Sequence, residues 1–347
     1  MLQSVRRPAP LGCRLAMAAA TVVMALGTLI AHAGEPAPPS SASGIDARAW
    51  LQRIHEAASQ RNYQGTLVVT ANGTVSSSRL AHYCEGKQYF ERIDMLDGQP
   101  QSVFRHNEQV LTVWPAAKVA RFEQRDPVAL FPAVLSGSEA QLFERYEMQA
   151  EGSDRIAGLD AAVFLLRPKD GQRFAQRLWA DHASGLLLRA DVLAPDGRVL
   201  ETAAFSEVTI GIKTQPDSVL VPMKKLDGYR VLRSAPKRTD LEAEGWRLKA
   251  PVAGFRQISC VKRDLQVSGK SDGAPSPDVL QTIFSDGLTH VSVFIEPLRA
   301  DRHRAGVAAF GATHTLTQPL GPHWLTVMGD VPMATLKQFA AALERLR

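Results

Sequence analysis

Between residues 65 and 210 apolar and polar positions alternate with a period of two, interrupted at short intervals by turn residues; ahead of it, over 47–60, the period is that of a helix. Asp46 is placed to cap a helix over 47–60, and Trp50, Ile54, Ala57 and Ala58 then fall on one face of it. The alternating segments are joined at Asn72-Gly73, Asp97-Gly98, Asn107-Glu108, Asp170-Gly171, Ser184-Gly185 and Asp196-Gly197, pairs whose residues accept the backbone angles of a tight hairpin. The pattern predicts about ten or eleven antiparallel strands. One stretch breaks it: residues 127–147, marked by proline and partly helical in period, are expected to cross or cover a face of the sheet. An antiparallel sheet this long has to curl, and its apolar face becomes a trough. Trp50, Trp114, Phe131, Leu135 and Trp179 are the candidates to line a ligand groove there, with core packing the ordinary role for strand tryptophans.

From Gly211 the alternation stops. Two prolines in 211–225 suggest a linker. A second pattern then begins, with strands over 279–284 and 289–296 flanking Asp286-Gly287. Pro332 opens a final helix whose Leu336, Phe339, Ala340, Leu343 and Leu346 form an apolar stripe. The expected fold is α+β: a curled antiparallel half-barrel over 45–210, a linker over 211–225, and a smaller α+β domain over 226–347 with four or five strands and a packed C-terminal helix.

The N-terminus alters the charge picture. Arg6, Arg7 and Arg14 precede an apolar run from Leu15 to Ile30, followed by Ala31-His32-Ala33, which reads as a secretory signal peptide cut after Ala33. The run is shorter than the roughly 20 residues that span a bilayer. Leu11-Gly12-Cys13 precedes the run, the wrong side for a lipidation box. Residues 34–44 are rich in Pro, Ser and Ala and read as a disordered leader. Cleavage would remove three arginines and no acid from a chain of formal net charge +5, so a near-neutral mature protein gives no reason to expect nucleic acid. Cys84 and Cys260 remain; they lie in different expected domains, which favours two separate thiols over a bridge.

Ser285, Asp286 and His290 sit within six positions, as if spelling a compressed catalytic triad. A triad needs a buried acid bonded to the histidine and the histidine against the nucleophile. Asp-Gly between two alternating strands instead predicts a hairpin, with Asp286 at its exposed turn and no catalytic role for the three. No G-x-S-x-G, P-loop or G-x-G-x-x-G is present, and the histidines show no H-E-x-x-H spacing. His303, His314 and His323 fall on different expected elements, so neither metal nor cofactor is expected.

Four segments, "WLQRIHEAASQRNYQGTLVV", "GWRLKAPVAGF", "IFSDGLTHVSVFIEP" and "WLTVMGDVPMATLKQFAAAL", in this order behind a signal peptide, resemble the RseB/MucB family of periplasmic regulators of the envelope-stress sigma factor. The resemblance spans the mature chain. It implies a non-enzymatic protein that binds the periplasmic part of a membrane-anchored anti-sigma factor, shields it from the first protease, and is released by envelope components bearing acyl chains or glycans. It also implies an N-terminal half-barrel similar to lipoprotein carriers. Phe284, Asp286, Gly287 and Leu288 stand out as its signature and as candidate partner contacts. The competing readings are a periplasmic lipid or lipoprotein carrier, for which residues 226–347 would be superfluous, and an exported hydrolase.

Overall fold

The computed structural model describes residues 47–124, 139–234, 236–264 and 278–346. Asp46, the signal segment, the leader, Phe131 and Leu135 lie outside them.

Helix α1 (Ala47–Gln60) leads into strands β1 (Tyr63–Ala71), β2 (Thr74–Glu85), β3 (Gln88–Met95), β4 (Ser102–His106), β5 (Gln109–Trp114) and β6 (Val119–Gln124). A short α2 (Glu139–Arg145) runs directly into β7 (Tyr146–Ile156), followed by β8 (Leu159–Pro168), β9 (Ala175–Asp181), β10 (Leu187–Leu193) and β11 (Val199–Ile210). The hairpin signals read from the sequence hold: Asn72 and Gly73 both take positive φ, 49° and 74°, as a two-residue turn between twisted strands requires. The meander closes on itself between β1 and β11, so one antiparallel sheet runs from β6 through β1 to β7. Its two ends do not pair with each other, leaving the curled sheet open.

Alternation along β2 and β3 assigns the faces. Leu80 and Ile93 gather with Tyr63, Phe205 and Ala57 of α1. Their neighbours of opposite parity, Ala81 and Phe90, gather with Phe104, Leu111, Val219 and Met223. The last two belong to α3 (Asp217–Lys224), so α1 and α3 cover opposite faces of one sheet. The stretch read as a linker therefore contains a helix anchored in the first core. After it β12 (Arg230–Ser234) pairs in parallel with β6, adding a twelfth strand at that edge.

The remaining chain forms a second sheet in the order β13 (Lys237–Arg238), β15 (Arg256–Asp264), β16 (Asp278–Ser285), β17 (His290–Pro297), β20 (His323–Gly329), β19 (Thr313–Leu320) and β18 (Gly306–Phe310). Seven strands replace the expected four or five, because residues 306–320 fold back on themselves at Gly311 and β13 adds a short edge. The final helix α4 (Met333–Ala342) buries Leu336, Phe339 and Ala340 on this sheet. It is shorter than its apolar stripe predicts. Leu343 turns extended and enters β21 (Leu343–Arg345), which pairs with β14 (Trp246–Leu248). Cross-strand pairing there satisfies the backbone that another helical turn would have used, and Leu343 stays buried all the same.

Candidate functional site

The β16–β17 hairpin carries the signature segment, and its tip does not project into solvent. Ser285 and His290 are direct cross-strand partners. Gly287 adopts φ 100°, a value that favours glycine and lets the chain reverse in so few residues. Ser285 Oγ donates to the Thr289 carbonyl at 2.8 Å and accepts from Gly287 N–H at 3.0 Å, so it braces the turn through backbone groups.

Asp286 overturns the expectation of an exposed turn residue: its side chain is 0% exposed. One carboxylate oxygen accepts from the backbone of Leu288 at 2.9 Å and of Thr289 at 2.8 Å. The other accepts from the Tyr146 hydroxyl at 2.9 Å and from Arg173 Nε. Arg173 is likewise 0% exposed; it also bonds Asp170 and the Ala253 carbonyl, both at 2.7 Å, and lies 4.7 Å over the Phe255 ring. Burial disfavours the charged guanidinium, yet the neighbouring Asp286 outweighs it and raises the Arg173 pKa. Burial, and after it the nearby Asp286 charge, push the Tyr146 hydroxyl well above its ordinary range. A carboxylate removed from water needs this many donors. The cause of the burial is tertiary: Tyr146 begins β7 and Arg173 precedes β9, so the hairpin tip of the second sheet is docked onto the first.

Apolar contact reinforces the dock. Leu288 packs on the cluster of Leu51, Ile54, Leu142, Tyr146 and Phe164, and Thr335 of α4 donates to the Gln172 carbonyl at 2.8 Å. Phe284, by contrast, belongs to the second core, 5.1 Å from Phe339. The four signature residues thus divide among core, clamp, turn and dock.

The same docking encloses a cleft of about 410 Å³ between the sheets. Glu91, Val103, Arg105 and Val110, on the α1-bearing face of β3–β5, look across to Arg263, Ile283 and His290. Arg105 Nη1 stands 3.6 Å from Glu91, and its buried Nη2 has no hydrogen-bond partner among the described residues. Glu91 bonds His82 Nδ1 at 3.2 Å, and His82 Nε2 lies 3.1 Å from Cys84 Sγ. Arg263 bridges the sheets to Glu123 at 3.4 Å. The lining mixes apolar side chains with charged ones.

The groove candidates scatter. Trp50 packs on Phe164, centroids 5.1 Å apart, with Arg53 stacked 4.4 Å above it. Trp114 shares the face of Val110 and donates to Gln101 at 3.1 Å. Trp179 neighbours the α1-facing Leu178 and so points to the opposite face, where it packs with Val163 and Leu188 and donates to Asp154 at 3.0 Å. Sequence inspection passed over Arg105, Arg173, His82 and Glu91. Only the i,i+2 spacing of His82 and Cys84 on one strand hinted at a cluster; Glu91 joins it through hairpin register. His303, His314 and His323 each contact a different aromatic ring, Trp324, Phe174 and Trp246 respectively.

Two family models cover nearly all of the described chain: the MucB/RseB N-terminal domain over residues 46–223 and the MucB/RseB C-terminal domain over 240–344. The sigma factor AlgU regulatory protein MucB of Pseudomonas aeruginosa is 28% identical over 333 residues, covering 94% of this chain and 98% of that one. The sigma-E factor regulatory protein RseB of Escherichia coli is 23% identical, covering 90% and 93%. Among solved structures, MucB in complex with MucA(peri) aligns at TM-score 0.65 and 26% identity, covering 87% of this chain and all of that one. Both sheets, the order of the signature segments and both family models agree, and the chain belongs to the MucB/RseB family.

Proposed function

We propose that this chain is a periplasmic negative regulator that binds the exported part of a membrane-anchored anti-sigma factor and shields it from the protease that begins its degradation. The observation that carries the reading is the likeness, over 87% of this chain, to a MucB structure solved with the periplasmic region of MucA. The protein acts by binding, with no catalytic step, after signal-peptide removal near Ala33. The first sheet, with α3 and β12 attached to it, and the second sheet act as the two working parts. The cleft is the proposed place where acyl chains or glycans of lipopolysaccharide or lipoproteins compete with the client: Val103, Val110 and Ile283 supply apolar surface, and Arg105 and His290 supply polar contacts. If ligand and client favour different arrangements of the two sheets, they oppose each other through linkage, typically by about 1–3 kcal/mol.

The test is limited proteolysis of the anti-sigma factor's exported segment with and without this protein, repeated with lipopolysaccharide. Protection that lipopolysaccharide reverses supports the whole reading. Unchanged cleavage rejects client binding; protection indifferent to lipopolysaccharide rejects the sensing cleft alone.

A further inference from the structure

Among the described residues Cys84 is one of two unpaired cysteines, and its surroundings differ from those of Cys260. Cys260 is buried in the second core, where desolvation pushes its thiol up to about 11. Cys84 is half-buried near the end of β2, with its backbone N–H fixed by Asn62 Oδ1 at 2.8 Å. Its sulfur touches two groups, the Ser59 carbonyl at the end of α1 (2.7 Å) and His82 Nε2 (3.1 Å).

His82 is held on several sides. It is 4% exposed, stacked on Tyr63 at 5.1 Å with Tyr89 parallel on its other flank at 6.4 Å, and tied through Nδ1 to Glu91. Burial alone would deprotonate the ring, but the bonds to Cys84 and Glu91 outweigh it and raise its pKa to about 9. The ring is then an imidazolium at neutral pH that donates to Glu91 on one side and to sulfur on the other. A cation donating to sulfur stabilises the negative charge that a thiol must develop to act as a nucleophile.

The geometry points to Cys84 as a modification site: a thiol activated by the His82–Glu91 pair for exchange with small-molecule disulfides. In that step Cys84 Sγ attacks one sulfur of the disulfide. A new S–S bond forms, the original one breaks, and the departing half leaves with the electron pair and takes up the proton that Cys84 gives up. Cys84 is oxidised to a mixed disulfide as the departing half is reduced to a thiol. The adduct has no S–H to offer Ser59, so α1 loses a tie at its C-terminal end. The chain of contacts Cys84–His82–Glu91–Arg105 carries the change to the wall of the cleft.

The experiment exposes the folded protein at pH 7 to oxidised glutathione and follows mass and labelled peptides with time, with uncharged iodoacetamide as a second probe. Each rate is divided by that of the same chain unfolded in denaturant, which removes intrinsic differences between variants. Modification of Cys84 and not Cys260 is expected, with His82→Gln lowering the normalised rate at least tenfold for both probes. Glu91→Gln, which leaves the ring in place but takes away its counter-charge, is expected to lower it several-fold, and it decides the matter if His82→Gln fails to fold by circular dichroism. An unmodified Cys84, equal rates at Cys84 and Cys260, or a Cys84 rate that the folded variants leave unchanged overturns the assignment.

Discussion

Asp286 and Arg173 form an ion pair in which neither side chain reaches water, so removing one partner strands the other. Asp286→Ala is expected to cost about 3–5 kcal/mol in equilibrium chemical denaturation, mostly the penalty of a buried guanidinium left with only the partly exposed Asp170 as a counter-charge. Arg173→Met added to it should recover a large part, since an apolar replacement leaves no charge behind; a double variant as unstable as the single one would refute that account. His82 is the other residue whose environment sets its behaviour. Its folded pKa, about 9, lies above the unfolded value near 6.5. Its contribution is thus fully present below about pH 6.5 and fades as pH rises through 9, with an upper bound on the order of 3 kcal/mol. Glu91, whose pKa is lowered chiefly by the His82 bond once the opposing effect of burial is overcome, supplies the other limb, lost as pH falls through its folded value. The stability gap between the native chain and His82→Gln should be wide at pH 6 and nearly closed at pH 10, as read by thermal unfolding; a gap that is flat with pH would contradict the pairing. None of these roles was visible residue by residue, because burial and cross-strand register create each of them.

At the scale of elements, the strands were legible and the helices only partly so. A strand shows itself by period-two alternation bounded by turn residues, and β1 through β11 are nearly all recoverable that way. The helix α1 was equally plain from its apolar face. By contrast, α3 hides in a segment with two prolines, one of them inside the helix at Pro222. It persists because Val219 and Met223 are buried against Phe90, Phe104 and Leu111, packing that offsets the missing backbone bond. Met223→Ala should therefore cost about 2–3 kcal/mol, toward the lower end for a buried methionine. It should also speed amide exchange in β4, the strand against which α3 lies. Unaltered exchange in β4 would show that α3 is dispensable to the sheet.

At the scale of the molecule, the two large sheets are held together by a docked hairpin tip, a buried ion pair and a shared cleft. Leu288 is the apolar part of that dock. Leu288→Asp would place an unpaired carboxylate on the cluster around Leu51, Ile54 and Tyr146, which is unfavourable unless the sheets part. The expected result is a larger radius of gyration by small-angle scattering with an unchanged far-ultraviolet circular dichroism spectrum. The same variant should alter protection of the client segment, since the cleft opens with the dock. A radius identical to that of the native chain would mean that the tip does not hold the two sheets in place.

Alternation, turn residues and helical spacing are local properties, and by themselves they determined most of the strands, the hairpins and the two-part α+β organisation. They could equally say that Ser285, Asp286 and His290 occupy a turn and not a triad. What they could not supply is which sheet covers which. The burial of Asp286, the meeting of His82 with Glu91 and the cleft beside Arg105 all arise between segments far apart in the chain, where solvent exclusion and pairing act only once the sheets have docked. A charged residue reads the same in sequence whether it ends in water or in a clamp, and only the tertiary fold makes that choice.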